Sequence, residues 1–254
     1  MSELRKLILN GKTYIVTDES AVAFDETQQL GESQKAKARE NIGAASQESV
    51  ATLEQQVADL LYKPITISSF TAKDTATGKN TLEIGSKVTN VTFAWAFSKT
   101  PKTVTFNGGA MPVDSKGTTL AVNVTSNTSW PLAATDERDT EAKGSAGLTF
   151  LRGVYYGVLE HGANIDSAAI LSMNKSLQSG RAANFTVTPG AGMRPAYALP
   201  SSGYGTPTFK IGGFEYAWEK VKTLSFTNAS GHTENYDVWM HGQDVTGSIT
   251  INVT

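Results

Sequence analysis

Few side chains in this chain are of a type and spacing to make or break bonds. Its three histidines, His161, His232 and His241, are scattered. None stands two or four residues from another histidine or from an acidic partner on a helix, so no metal site is expected. Cysteine is absent, which removes thiol nucleophiles, thiolate ligands and disulfides. Glu160, Asp166, Glu215 and Glu219 come nearest to the paired carboxylates of a glycosidase. That mechanism needs two carboxyl groups about 5–9 Å apart, which sequence spacing does not supply, and solvated loop carboxylates are the simpler reading. Gly190-Ala-Gly-Met and Gly203-Tyr-Gly lack the Gly-Lys-Ser/Thr and helix start of a phosphate loop. No Gly-X-Ser-X-Gly elbow occurs either. The expectation is therefore no enzyme, no cofactor and no metal.

Aromatic residues are the better functional candidates. They crowd the C-terminal part, from Tyr155 and Tyr156 to Trp239. Rings anchor protein partners and stack on sugar faces because they bury a large area at low entropic cost. Most such residues are core, and Tyr156, Trp218 and Trp239 are expected to be mainly so. Tyr204 and Tyr216, flanked by Gly, Ser and Glu, are the pair expected in exposed loops. Tyr204, Tyr216 and Trp218 form the candidate contact set.

These residues sit in a chain of 254 residues with a formal net charge of -2 and 39% apolar content. The length allows two or three modest domains. The charge gives no field to attract nucleic acid. No run of roughly 18 apolar residues is present, so no membrane insertion is expected. The first eleven residues are charged and too short in apolar stretch for a signal peptide.

The N-terminal elements are short. Leu7-Ile8-Leu9 and Tyr14-Ile15-Val16 flank Asn10-Gly11, a two-residue hairpin signal. A lone hairpin is marginal in water, so residues 1–29 are expected to pair with another subunit or a partner protein. Asp18 to Gln29 reads as irregular. Ser33 can cap a helix over Gln34 to Ile42, with Gly43 as its stop. A second helix runs from Ser46 to Tyr62 and ends before Pro64. Val50, Leu53, Val57 and Leu60 fall at a, d, a, d spacing on it. The resulting rod is only about 25 Å long, and two heptads do not hold an isolated coiled coil. The competing reading is a helix packed on its own domain. Residues 30–63 are read as a helical linker and short coiled coil, with Val50, Leu53, Val57 and Leu60 as the trimerisation set.

From Ile65 the pattern becomes β. Val88 to Phe97 alternates strictly, with Val91, Phe93, Trp95 and Phe97 on one face. Further strands are predicted at 65–70, 81–84, 103–106, 120–124, 130–134 and 146–151. This spacing suggests an immunoglobulin-like or fibronectin-like sandwich over 64–152. A second β domain is expected over 153–254, opening at Gly153-Val-Tyr-Tyr-Gly157. It has strands at 183–187, 194–199, 208–211, 222–226, 234–239 and 247–253, and a helix or strand pair between Ile165 and Leu177. The fold class is mainly β: a hairpin and helical linker, then two β-sandwich domains, in an elongated homotrimer.

Residues 30–46, LGESQKAKARENIGAAS, resemble the QKxxARxNIGA linker of bacteriophage tail-fibre and baseplate-appendage proteins. LEIGSKVTNVTFAWAFSKTPKTVTFNG and WPLAATDERDTEAKGSAGLTFLRGVYYGV resemble the Ig-like module of the same proteins, and YALPSSGYGTPTFKIGGFEYAWEKV their C-terminal β domain. The resemblance covers almost the entire chain. It implies a structural virion fibre on tail, baseplate or neck, homotrimeric, bound to other virion proteins through its N-terminus. Its distal domains would touch a host cell-surface glycan or protein. It also implies location in the virion after assembly in the host cytoplasm. The alternatives are a connector or decoration protein of the virion without receptor binding and, further off, a glycan-cleaving spike.

Overall fold

Alternating apolar residues, tight glycine turns and a few short helices determine the architecture. The computed structural model describes residues 5–9, 12–16, 31–41, 43 and 46–254. These fall in two compact units, Met1–Lys63 and Pro64–Thr254.

In the first unit, β1 (Arg5–Leu9) and β2 (Lys12–Val16) pair antiparallel, with Leu7 opposite Tyr14. The Asn10-Gly11 turn and the irregular 18–29 segment lie outside the described residues. Helix α1 (Glu32–Asn41) begins earlier than expected, so Ser33 lies inside it and is not its cap. The Gln34 side chain instead accepts from the Gly31 N–H at 3.0 Å. Gly43 takes φ +65°, and its N–H reaches the Glu40 carbonyl at 3.2 Å. This is the left-handed stop that a residue without Cβ adopts freely. Helix α2 (Gln47–Leu61) is capped by Ser46, whose hydroxyl accepts from the Ser49 N–H at 3.0 Å.

The second unit begins with a two-sheet sandwich. One sheet has the order β3 (Ile67–Asp74), β5 (Val88–Phe97) and β8 (Gly117–Val124). Between them in the chain come β4 (Thr81–Glu83), β6 (Thr103–Phe106) and β7 (Gly109–Met111). The facing sheet runs β7, β6, β9 (Thr128–Thr135) and β10 (Glu141–Glu160). Phe93 and Trp95 on β5, Phe106 on β6 and Trp130 on β9 fill the space between the sheets. Their rings meet at centroid distances of 4.6–5.5 Å, a spacing that adds to the area they bury. Asp136 closes the β9–β10 turn. Its fully buried carboxylate accepts from the backbone N–H of Ile65, Arg138 and Thr140 and lies 3.0 Å from Lys99.

β10 does not stop at 152. The boundary expected at 152/153 falls inside one uninterrupted twenty-residue strand. The strand pairs with β9 over 141–148, with β4 in parallel over 149–151, with β11 (Asn174–Gln178) over 152–156 and with β13 (Met193–Pro200) over 155–160. Helix α3 (Ser167–Leu171) precedes β11, so the 165–177 region holds both a helix and a strand. β13 is followed across the sheet by β17 (Thr233–His241) and β16 (Trp218–Thr227). A smaller sheet of β12 (Ala183–Val187), β18 (Ile249–Val253), β14 (Phe209–Ile211) and β15 (Phe214–Glu215) covers one face. Phe185, Tyr197, Phe209 and Ile251 make the core between the two sheets. On the other face Tyr155, Ile170, Phe226 and Tyr236 form a second core beneath α3.

The first core is built only from residues up to Phe150 and the others only from Val154 onward. Two sandwiches, with three separate interiors between them, therefore hang on one strand. Replacing Asp136 by Ala removes the acceptor of three backbone donors, of which the Ile65 N–H is buried. We expect a loss of about 3 kcal/mol or more by urea unfolding, against within about 0.5 kcal/mol for Asp114→Ala in an exposed turn.

Candidate functional site

Cross-strand register locates the candidate contact residues. Gly157 on β10 stands opposite Ala196, Ala196 opposite Met240, and Met240 opposite Glu219. Trp218 is thus level with the last residues of β10. Ile65, where the second unit starts, is bonded to Asp136 beside the opposite end of that strand. The two levels are sixteen residues apart on β10, about 50 Å of strand at about 3.3 Å per residue.

At this far end the β14–β15 hairpin turns on Gly212 and Gly213, both with positive φ (61° and 88°). Type I′ turns require that at both central positions. The turn presents Phe214, which is 74% exposed, and Tyr216, which is 47% exposed. Tyr216 stays tied to the hairpin through its N–H to the Phe209 carbonyl at 3.1 Å. Its ring lies 5.9 Å from that of His241. Trp218 is half-buried and stacks on Phe209 at 4.0 Å with 11° between planes, while His241 meets it edge-on at 5.8 Å. His241 is buried, with Nδ1 2.8 Å from the Gln243 carbonyl oxygen. A row of rings thus leads from Phe209 in the core through Trp218 and His241 out to Tyr216.

Tyr204 does not belong to this patch, which corrects the expectation that it is exposed. It is 7% exposed, its hydroxyl donates to the Gln178 carbonyl, and its own carbonyl accepts from Arg181 at 2.8 Å. Burial holds its phenol above the ordinary tyrosine range. Gly203 and Gly205 flank it with positive φ, and the guanidinium of Arg181 packs against Gly205. The glycines fold the loop inward over the core. Phe214, the most exposed ring among the described residues, belongs to the aromatic residues that crowd this part of the sequence but was not in the expected contact set; Gly-Gly followed by an aromatic residue was the available signal.

The charges around the patch are largely paired. Lys210 and Glu215 lie opposite each other at 3.9 Å, and Arg194 binds Asp244 at 2.6 Å. That bond from Arg194 holds the Asp244 carboxyl below its usual range. Of the acidic set, Asp166 caps α3 and Glu215 faces Lys210. Among the described residues no group of three or more His, Asp or Glu could hold a metal ion. No described helix is long and apolar enough to cross a membrane.

The second candidate set lies on α2. Val50, Leu53, Val57 and Leu60 are 43%, 57%, 52% and 86% exposed, and the adjacent Leu61 is 72% exposed. No residue of α2 is buried. The apolar stripe is bare in a single chain.

No protein-family model matches the chain, and no curated protein matches it. Among solved structures, it is similar to the N-terminal eight Ig domains of Down Syndrome Cell Adhesion Molecule isoform 1.30.30, at 12% identity and a TM-score of 0.20. The match covers 70% of this chain, which spans 24% of that one. So low a TM-score bears on neither function nor arrangement.

Two measurements test this site. Phe214→Ala and Tyr216→Ala are expected to leave unfolding free energy within about 0.5 kcal/mol of the parent, whereas Tyr204→Ala costs about 3 kcal/mol or more. In an alkaline titration followed by tyrosinate absorbance, Tyr155, Tyr197, Tyr204 and Tyr236 all have folded-state pKa values raised by burial. Their contribution to stability is complete below the unfolded value of about 10 and is lost as pH rises above it. These four should ionise only with unfolding.

Proposed function

We propose that the protein is a homotrimeric bacteriophage virion fibre, of tail, baseplate or neck, that attaches to the host surface through its distal β domain. The bare apolar stripe of α2 carries this reading. An amphipathic helix with no buried residue needs a partner, and nothing in its own described unit receives it. Val at both a positions with Leu at both d positions suits two strands in long isolated coils. Leu61 widens the face beyond that a/d seam, as in helices that pack against more than one neighbour. The LGESQKAKARENIGA segment preceding it supplies the resemblance to phage appendages.

The exposed ring pair supports the attachment half. Phe214 and Tyr216 stand at the end of the second unit opposite its first residue, so a chain anchored through its N-terminus leaves them free to touch a target. The contact set becomes Phe214, Tyr216 and the edge of Trp218. Several copies on one particle raise the effective concentration, so each contact can be weak.

Light scattering on the full chain tests the assembly, with three times the chain mass expected. Leu53→Asp with Leu60→Asp should reduce it to one chain, since each charge would enter the shared seam. A wild-type monomer at high concentration refutes the trimer. Binding to host cells tests the attachment: the Phe214→Ala, Tyr216→Ala double variant should keep its mass and lose at least about tenfold in apparent affinity. Unchanged binding would favour a connector with no receptor role.

A further inference from the structure

The place where β10 leaves the first sandwich and enters the second is crossed by more than backbone. Glu83 ends β4 in the first sandwich and is 6% exposed. One carboxylate oxygen accepts from the Tyr155 hydroxyl at 2.8 Å; the other meets the Lys175 ammonium at 2.8 Å. Tyr155 and Lys175 are cross-strand neighbours on β10 and β11 of the second sandwich. Tyr155 also lies in the second core, its ring 5.1 Å from Phe226. A first-sandwich carboxylate thus bonds the wall of the second interior.

The next three residues repeat the crossing. The Ile84 carbonyl accepts from Asn228 Nδ2 at 2.8 Å, and the Ser86 and Ser230 hydroxyls are 3.0 Å apart. Gly85, at φ +94°, lies so close to His232 that a Cβ built on it would sit 2.7 Å from the His232 Cβ. The Asn228 side chain is held in turn by the Ser230 and His232 N–H groups at 2.9 Å. Residues 83–86 are therefore seated in the 228–232 turn. This is the stretch where β10 changes its main neighbour, from β9 up to Leu148 to β13 from Tyr155. A strand flanked there only by short segments would bend. Gly153 stands within it, and the space a Cβ would take there is occupied by the Tyr155 ring and Glu83 Oε1, at 2.9 and 3.1 Å.

We infer that Glu83 is the pin of a lock that makes the two sandwiches one rigid, cooperatively unfolding body, and that β10 becomes a hinge near Gly153 when the pin is withdrawn. The inference does not depend on the attachment reading.

The chain has no cysteine, so spin labels go only where cysteines are introduced. Asn123→Cys on β8 and Asn252→Cys on β18 put one exposed label on each sandwich. Pulsed dipolar spectroscopy should give a narrow distance distribution, and calorimetry of the same chain a single transition for the second unit. Glu83→Ala should widen the distribution at least about twofold and split the transition in two, because each interior can then open alone. If Glu83→Ala does not fold, Lys175→Met carries the test and should do the same, since it leaves the carboxylate uncompensated. Lys102→Met, which removes an exposed pair with Asp139 inside the first sandwich, should change neither readout. An unaltered width and a single transition in the foldable Glu83 or Lys175 variant would overturn the lock. So would equal broadening in Lys102→Met.

Discussion

The structure depends on β10 being one strand. Twenty residues hold the edge of one hydrophobic interior with their first half and the middle of another with their second. Leu148 and Phe150 point into the first core, and Val154 and Tyr155 enter the two interiors of the second sandwich. No linker separates the sandwiches, so their relative placement follows from strand geometry. In most tandem β domains a flexible connection leaves that placement free. Here a backbone ladder constrains it, and the far end of the strand fixes where Trp218 and its neighbours stand relative to Ile65.

Much of the arrangement is legible in the sequence because burial imposes period two on strands. Val91, Phe93 and Trp95 are 0–3% exposed, and the four-residue alternation that predicted them is that of β5. The predicted bounds of β6 and β12 agree with the structure to the residue. The strand crossing 152 was hidden for a physical reason. Gly153 and Gly157 look like breakers, but each is needed for close approach: Gly153 against Tyr155 and Glu83, Gly157 against Met173. Glycine marks a bend and a tight contact with the same letter. Tyr204 misled in the same way, since glycines around it allow a loop to fold inward as readily as outward. Tyr216 was legible as exposed because a two-residue glycine turn leaves the end of a hairpin little to pack against. The polar ties between the sandwiches were not legible. Glu83 meets its partners across more than seventy residues of sequence, and no local pattern marks a carboxylate for burial.

Among the described residues, three buried polar side chains lie where the chain changes direction or module. Asp136 closes the turn that carries β9 into β10, and Asn228 and Glu83 sit at the crossing between sandwiches. Each is surrounded by donors. That follows from cost: an unpaired buried carboxylate destabilises by several kcal/mol, so such a residue persists only where geometry supplies partners. The same cost gives specificity. A strand slipped by one residue would turn Tyr155 to the other face and leave Glu83 and Lys175 without it. The polar pins therefore select the register that the apolar cores stabilise.

The helical stripe presents the opposite balance. Taking an apolar side chain from full exposure to full burial contributes about 1.5–3 kcal/mol, and the five on α2 start only 43–86% exposed. Association costs about 4–15 kcal/mol in lost freedom, and a fifteen-residue helix must also be ordered. The two sums are of similar size. A seam of this length can choose the number and alignment of chains without holding them together strongly. Whatever adds to it must come from elsewhere in the chain or from a partner. In the assembly proposed above, sandwiches that do not flex internally would lose less freedom than sandwiches that do. Stiffness at Glu83 and weakness at Val50 to Leu61 are in that sense complementary: the first limits the entropy that the second has to overcome.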